Sequence, residues 1–180
     1  MKDWMPNPYS PLWRDDEGPF WPSLELNILN QSNYGSGTCV PTSLAIVASA
    51  LQRGEVQPSR FMTGDLSVNT QSPQDWSDKL GEFEAQLAYC NFDARHLNQF
   101  IPELIEYDDL FIIGFYSGEV TRNAEIGATS GSSHMITMYK NQIYDTGRGG
   151  SVQDALTYDR RDCMVKRIFR VVPKGYPRKV

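Results

Sequence analysis

Cys39 has the surroundings that most suggest chemistry in this chain. It stands in Gly35-Ser36-Gly37-Thr38-Cys39-Val40-Pro41-Thr42-Ser43-Leu44-Ala45-Ile46-Val47, a glycine-led turn that runs into an apolar helical pattern. A thiol becomes a strong nucleophile as it ionises. The first turn of a helix favours the charged form, because unpaired N–H groups and the positive end of the macrodipole face it. The glycines let the chain turn sharply and let a substrate backbone come close. Pro41 falls where a missing N–H costs nothing. A thiol nucleophile also needs a base that takes its proton and later protonates the leaving group. The chain has two histidines. His96 lies in a polar, charged stretch and reads as a surface residue. His134 follows a Gly- and Ser-rich stretch and leads an apolar run, so it is the expected base. A third group would orient its ring. Asp145, eleven residues further on, lies where a hairpin would return beside it; the plainer reading makes it a turn residue before Thr146-Gly147. Cys90 and Cys163 lack such surroundings. Cys90 ends the stripe Trp76, Leu80, Phe83, Leu87, Cys90, whose spacing is that of a core face, and Cys163 precedes a strand-like run.

The elements that must position these residues follow from periodicity. Leu44, Val47, Ala48 and Leu51 recur at helical spacing and predict a buried helix from about Cys39 to Gln52. A loop with Pro58, Gly64 and Asn69 follows. Ser72-Pro73, with Asp75 three residues after Ser72, predicts a second helix start with a capping box. Phe92 to Leu97 reads as a short strand and Ile101 to Tyr107 as a short helix. Leu110-Phe111-Ile112-Ile113-Gly114-Phe115-Tyr116 reads as a buried strand. Residues 117–133 carry no periodic signal. His134 to Lys140 and Gln142 to Asp145 read as paired strands, and Met164 to Val172 as the last one. Helices first and an antiparallel sheet after is an α+β pattern. The first 22 residues hold five prolines and three of the four tryptophans (Trp4, Trp13, Trp21). They predict an extended arm lying on the domain, with docking to a protein partner as the second reading. Residues 23–180 then form a single domain.

The run from Cys39 to Val47 resembles the nucleophile signature of papain-like cysteine peptidases, most closely the bacteriocin-processing (double-glycine-leader) branch. That motif reads Cys-Gly-Pro-Thr-Ser-Leu-Ala-Met-Val, and here Val40 replaces Gly and Ile46 replaces Met. The resemblance implies a papain-like fold, with the nucleophile helix packed on a C-terminal antiparallel sheet. It implies that His134, opening Ser133-His134-Met135-Ile136-Thr137-Met138-Tyr139, is the catalytic histidine, and that Asp145 is the third member. It further implies an upstream glutamine that helps hold the oxyanion, a place that Gln31 fits by type and Asn33 contests by its nearness to Cys39. Val40 would narrow the approach that Gly leaves open.

Several classes are disfavoured. A net charge of −5 argues against general nucleic-acid binding. Two histidines and no Cys-x-x-Cys pair give no zinc spacing, so no metal or other cofactor is expected. Gly147, Gly149 and Gly150 lack the context of a phosphate-binding loop. Three cysteines without framework spacing point to a reducing compartment. No signal-peptide or membrane-span pattern is expected, hence a cytoplasmic location or delivery by a phage or effector route. The expected function is a cysteine hydrolase acting on a peptide or isopeptide bond. The alternatives are another papain-like acyl transfer (cell-wall amide hydrolysis or transglutaminase-like) and a non-catalytic binding or assembly protein that keeps the fold.

Overall fold

Every residue from Leu110 to Tyr116 is buried, because this strand is covered on both faces. Leu110 and Ile112 join one core with helix Cys39–Gln52. Phe111, Ile113 and Phe115 join a second core with helix Ile101–Tyr107. The structure, a computed structural model, describes residues 12, 17–35, 37–62, 72–91, 95–118, 121–123, 128–130, 132–178 and 180. In chain order its elements are α1 (Cys39–Gln52), α2 (Pro73–Leu80), β1 (Ala85–Asn91), α3 (Ile101–Tyr107), β2 (Leu110–Tyr116), β3 (Thr121–Asn123), β4 (Ala128–Ser130), β5 (Ser133–Tyr139), β6 (Gln142–Asp145), β7 (Ser151–Asp154) and β8 (Val165–Pro173). Six strands form one antiparallel sheet in the order β1-β8-β2-β5-β6-β7. β3 and β4 pair apart from it. The class is α+β.

α1 lies deep. Val40 to Ala48 are buried without a break, so the helix is held by packing, each large side chain contributing about 1.5–3 kcal/mol. Its first residue, Cys39, is half-exposed at the surface. α2 starts as its sequence dictates. The Ser72 hydroxyl accepts the Asp75 N–H at 3.3 Å, the Asp75 carboxylate accepts the Ser72 N–H at 3.0 Å, and Pro73 takes the first turn.

The structure corrects three sequence expectations. The stripe from Trp76 to Cys90 is not one continuous face. α2 ends at Leu80, a 3-10 turn spans Gly81–Phe83, and Glu84 takes a φ of 61°. Leu87 and Cys90 therefore stand in β1, Leu87 in the first core and Cys90 in the second. Phe92 to Leu97 is not a strand where it is described. His96 makes a single bridge to Met164, and a 3-10 turn begins at Leu97, closed by Gln99 accepting the His96 N–H at 3.0 Å. The featureless stretch 117–133 contains the small β3–β4 hairpin. β7, which no pattern in its own residues announces, pairs along the whole of β6 after the turn Gly147 to Gly150.

Of the proline- and tryptophan-rich arm, Trp4 and Trp13 lie outside the described residues. Trp21 is described, and it is tied down. Its Nε1 donates to Val171 O at 2.8 Å, its carbonyl accepts from Tyr139 Oη at 2.6 Å, and its N–H donates to Asp109 at 3.1 Å. Leu24, Leu26, Ile28 and Leu29 then pack against the first core, and this strap ends at Gln31. Gly150 (φ +82°) passes beside it so closely that a Cβ there would meet Leu29 O at 3.0 Å. No helix among the described residues is long and apolar enough to cross a membrane.

Candidate active site

The N-terminus of α1 is left open by its own cap. Thr38 is the N-cap residue, yet its side chain makes no cap hydrogen bond. Its hydroxyl turns back to the carbonyls of Gln31 (3.0 Å) and Gly35 (2.9 Å). The first-turn N–H groups, which have no partner within a helix, are thus not covered by that side chain. Gly35 and Gly37, at φ 111° and 70°, make the turn into the helix; residues with a Cβ rarely adopt such angles.

His134 enters from the start of β5, and its Nε2 lies 2.6 Å from Asp145 Oδ1. A carboxylate only accepts, so Nε2 carries the proton. This leaves Nδ1 as the nitrogen free for Cys39, which lies close enough to raise the pKa of the ring. Asp145, at the end of β6, is itself held on both oxygens. The Gly147 N–H donates to Oδ1 at 2.9 Å and the Tyr158 hydroxyl to Oδ2 at 2.6 Å. Both members of the pair are buried, with side chains 8% and 4% exposed. The ring of Phe115 meets that of His134 edge to face, with centroids 5.5 Å apart. Gly147 has no room for a side chain: a Cβ would come within 3.2 Å of His134 Cε1 and 3.3 Å of Asp145 Oδ1.

These contacts set the charges. Burial pulls the His134 pKa down, but hydrogen bonds to Asp145 and Cys39, with the charges behind them, outweigh it and raise it from 6.5 to about 9. Burial raises Asp145, yet hydrogen bonds from His134 and Tyr158 win and hold its carboxyl below the ordinary value. Burial, then the bond to the Asp145 carboxylate, pushes the Tyr158 hydroxyl far up, so it stays a donor. One consequence is measurable. A folded-state pKa raised above its unfolded value adds stability that is fully present below 6.5 and lost as pH rises through about 9. Melting curves of the native protein should therefore show a loss of stability across that window. His134→Ala should flatten it. A window of equal depth in both proteins would disprove the charge state assigned to His134.

Gln31 reaches the same place from the strap. Its backbone N–H donates to Thr146 O at 2.9 Å, and its side-chain Oε1 accepts from the Thr146 hydroxyl at 2.9 Å. With Oε1 so occupied, the Nε2 amide is the end available to a ligand. Gln31, Cys39 and His134 line one cleft of about 610 Å³, walled by Val40 and Trp76 from the helices and floored by Gly114 of β2. Val40 adds its side chain to the first core as well. Asn33 is exposed and does not line the cleft. His96 is exposed too, its Nδ1 2.6 Å from Asp162 O. A second cavity of about 620 Å³, bordered by Glu25, Asn27, Arg53 and Glu55, holds no His or Cys. Among the described residues, no group of three or more His, Cys, Asp or Glu side chains is placed to hold a metal ion.

Three residues of this network escape the sequence reading: Thr146, Gly147 and Tyr158. The Thr146-Gly147 pair read only as a turn, and nothing near Tyr158 in the chain marks it. The other thiols are differently placed. Cys90 is buried. Cys163 is half-buried, and burial, aided by the charges of Asp162 and Asp159 against that of Arg160, raises its pKa. No protein-family model matches the chain, and no curated protein matches it.

Proposed function

We propose that the chain is a cysteine hydrolase of papain-like architecture that cleaves a peptide or isopeptide bond. The observation that carries the reading is His134, paired with Asp145 at 2.6 Å in the wall of a cleft that Cys39 also lines. In this reading Cys39 Sγ attacks the scissile carbonyl carbon. The developing oxyanion is met by the Gln31 side-chain amide and the Cys39 backbone N–H. His134, as the imidazolium, gives its Nδ1 proton to the leaving nitrogen, the C–N bond breaks, and a thioester on Cys39 is left. Water, losing a proton to His134 Nδ1, then attacks the thioester, and the acid departs with the thiol restored. Asp145 holds the ring throughout and balances its charge. Three cysteines, none paired with another, suit a reducing compartment such as the cytoplasm.

Alkylation of the folded protein by iodoacetamide, followed peptide by peptide by mass spectrometry, tests this. Cys39 should be modified first, and one equivalent of reagent should block later addition of a peptidyl vinyl sulfone. Faster modification of Cys90 or Cys163 would overturn the assignment.

A further inference from the structure

Val165 and Ile168 both belong to the second core, so the alternation of β8 is broken between them. The break is a bulge. Phe115 pairs with Val165 and Gly114 with Arg167, which leaves Lys166 as the extra residue. Two consecutive cations, Lys166 and Arg167, are thereby freed to share the other side of the sheet, and both line the cleft of Cys39 and His134. Gly114 separates them from the reacting groups, with Met135 opposite it on one side and Arg167 on the other. Lacking a side chain, it leaves the floor open: a Cβ there would stand 3.8 Å from Arg167 Cγ. The cations sit two strand spacings from Met135, roughly 10 Å, which a peptide covers in about two or three residues.

No Asp or Glu lines this cleft among the described residues, and neither cation forms an ion pair with a described residue. In a chain of net charge −5, two adjacent half-buried cations with no counter-ion among the described residues are not part of a general basic surface. Burial, and then the charge of Arg167, hold the Lys166 amine below its ordinary pKa, so an anion placed between them would relieve both.

We propose that Lys166 and Arg167 form a subsite for a carboxylate of the substrate. This rests on the hydrolase reading and makes the substrate class an acidic peptide. The Arg167 guanidinium offers a planar fork to a carboxylate and the Lys166 ammonium a compact charge beside it. The bulge is what places both at one cleft.

Peptidyl vinyl sulfones that differ only in carrying Glu, Gln or Lys two or three residues before the electrophile test it. Cys39 Sγ adds to the vinyl β-carbon and the α-carbon takes the proton from His134, so mass spectrometry reads the rate directly. The Glu probe should modify Cys39 about tenfold faster than the Gln probe, and the Lys probe should be slowest. A probe whose only carboxylate is a terminal succinyl cap at the same distance separates a side-chain source from a terminal one. The Glu-to-Gln ratio within each protein is the readout, so a general loss of reactivity cancels. It should fall towards one in the Lys166→Gln/Arg167→Gln double variant, and in the native protein it should shrink as salt rises. Equal rates for the Glu and Gln probes at Cys39, a ratio untouched by the double substitution, or one indifferent to salt would overturn the subsite and leave the hydrolase standing. Failure of every probe and of iodoacetamide to modify Cys39 would remove the hydrolase reading, and the subsite with it.

Discussion

His134→Ala should slow alkylation of Cys39 near neutral pH by about tenfold or more, and should lower any hydrolytic rate on the order of 10²–10⁴-fold. The ring is paired with Asp145 and lines the same cleft as Cys39. With its pKa raised to about 9, it is charged at neutral pH and is the proton donor that the proposed hydrolase requires. His96→Ala, a change at an exposed residue outside the cleft, should leave Cys39 unaffected. Asp145 variants should grade between these limits. Asp145→Asn keeps an acceptor for the ring but loses the charge that balances the imidazolium, so a partial loss is expected, and Asp145→Ala should cost more. Equal slowing by His134→Ala and His96→Ala would remove His134 from the role of base.

The largest effect on stability should come from Asp109→Ala, at about 3–5 kcal/mol. Asp109 is fully buried at the start of the sheet. Its Oδ2 accepts from Arg170 Nη2 at 2.6 Å, from Arg170 Nε at 3.0 Å and from the Phe20 N–H at 3.0 Å. Removing it strands a guanidinium that is 5% exposed and sandwiched by the rings of Phe20 and Tyr107. Burial is the largest influence on Asp109 and raises its pKa despite Arg170 and the backbone donors. The pair therefore gives little net gain when intact and a large loss when halved. Arg170→Met combined with Asp109→Ala should recover much of the deficit. Urea denaturation with a common slope measures both. A loss below about 1 kcal/mol for the single variant would mean that the pair is reached by water. Because the same carboxylate holds the N–H groups of Phe20 and Trp21, the variant should also loosen the strap that delivers Gln31.

What the sequence made legible was local. The start of α1, the Ser72 cap and the apolar run of β2 each follow from neighbours within a few positions. So does the hairpin that sets Asp145 beside His134, because a short turn fixes where eleven residues can return. The supports of the site are not local. Thr146 and Gln31 are 115 positions apart, and Asp109 and Arg170 are 61 apart; no periodicity announces such pairs. The stripe into β1 misled because a strand buried on both faces mimics helical spacing over a short span. The bulge at Lys166 was hidden for a related reason: its cause is the partner strand, not its own residues.

The stretch Asp145-Thr146-Gly147 binds the ring of His134, the backbone and side chain of Gln31, and its own carboxylate through the Gly147 amide. In the hydrolase proposed here, base and oxyanion donor thus hang on one short segment next to the strand end of β6, and they would be released by the same local opening. The amide protons of Gln31 and Gly147 should then exchange with solvent at a shared protection factor, although they lie on segments far apart in the chain. The fraction of molecules competent at any instant is set by that single equilibrium. A ligand that closes it would sharpen nucleophile, base and oxyanion site together.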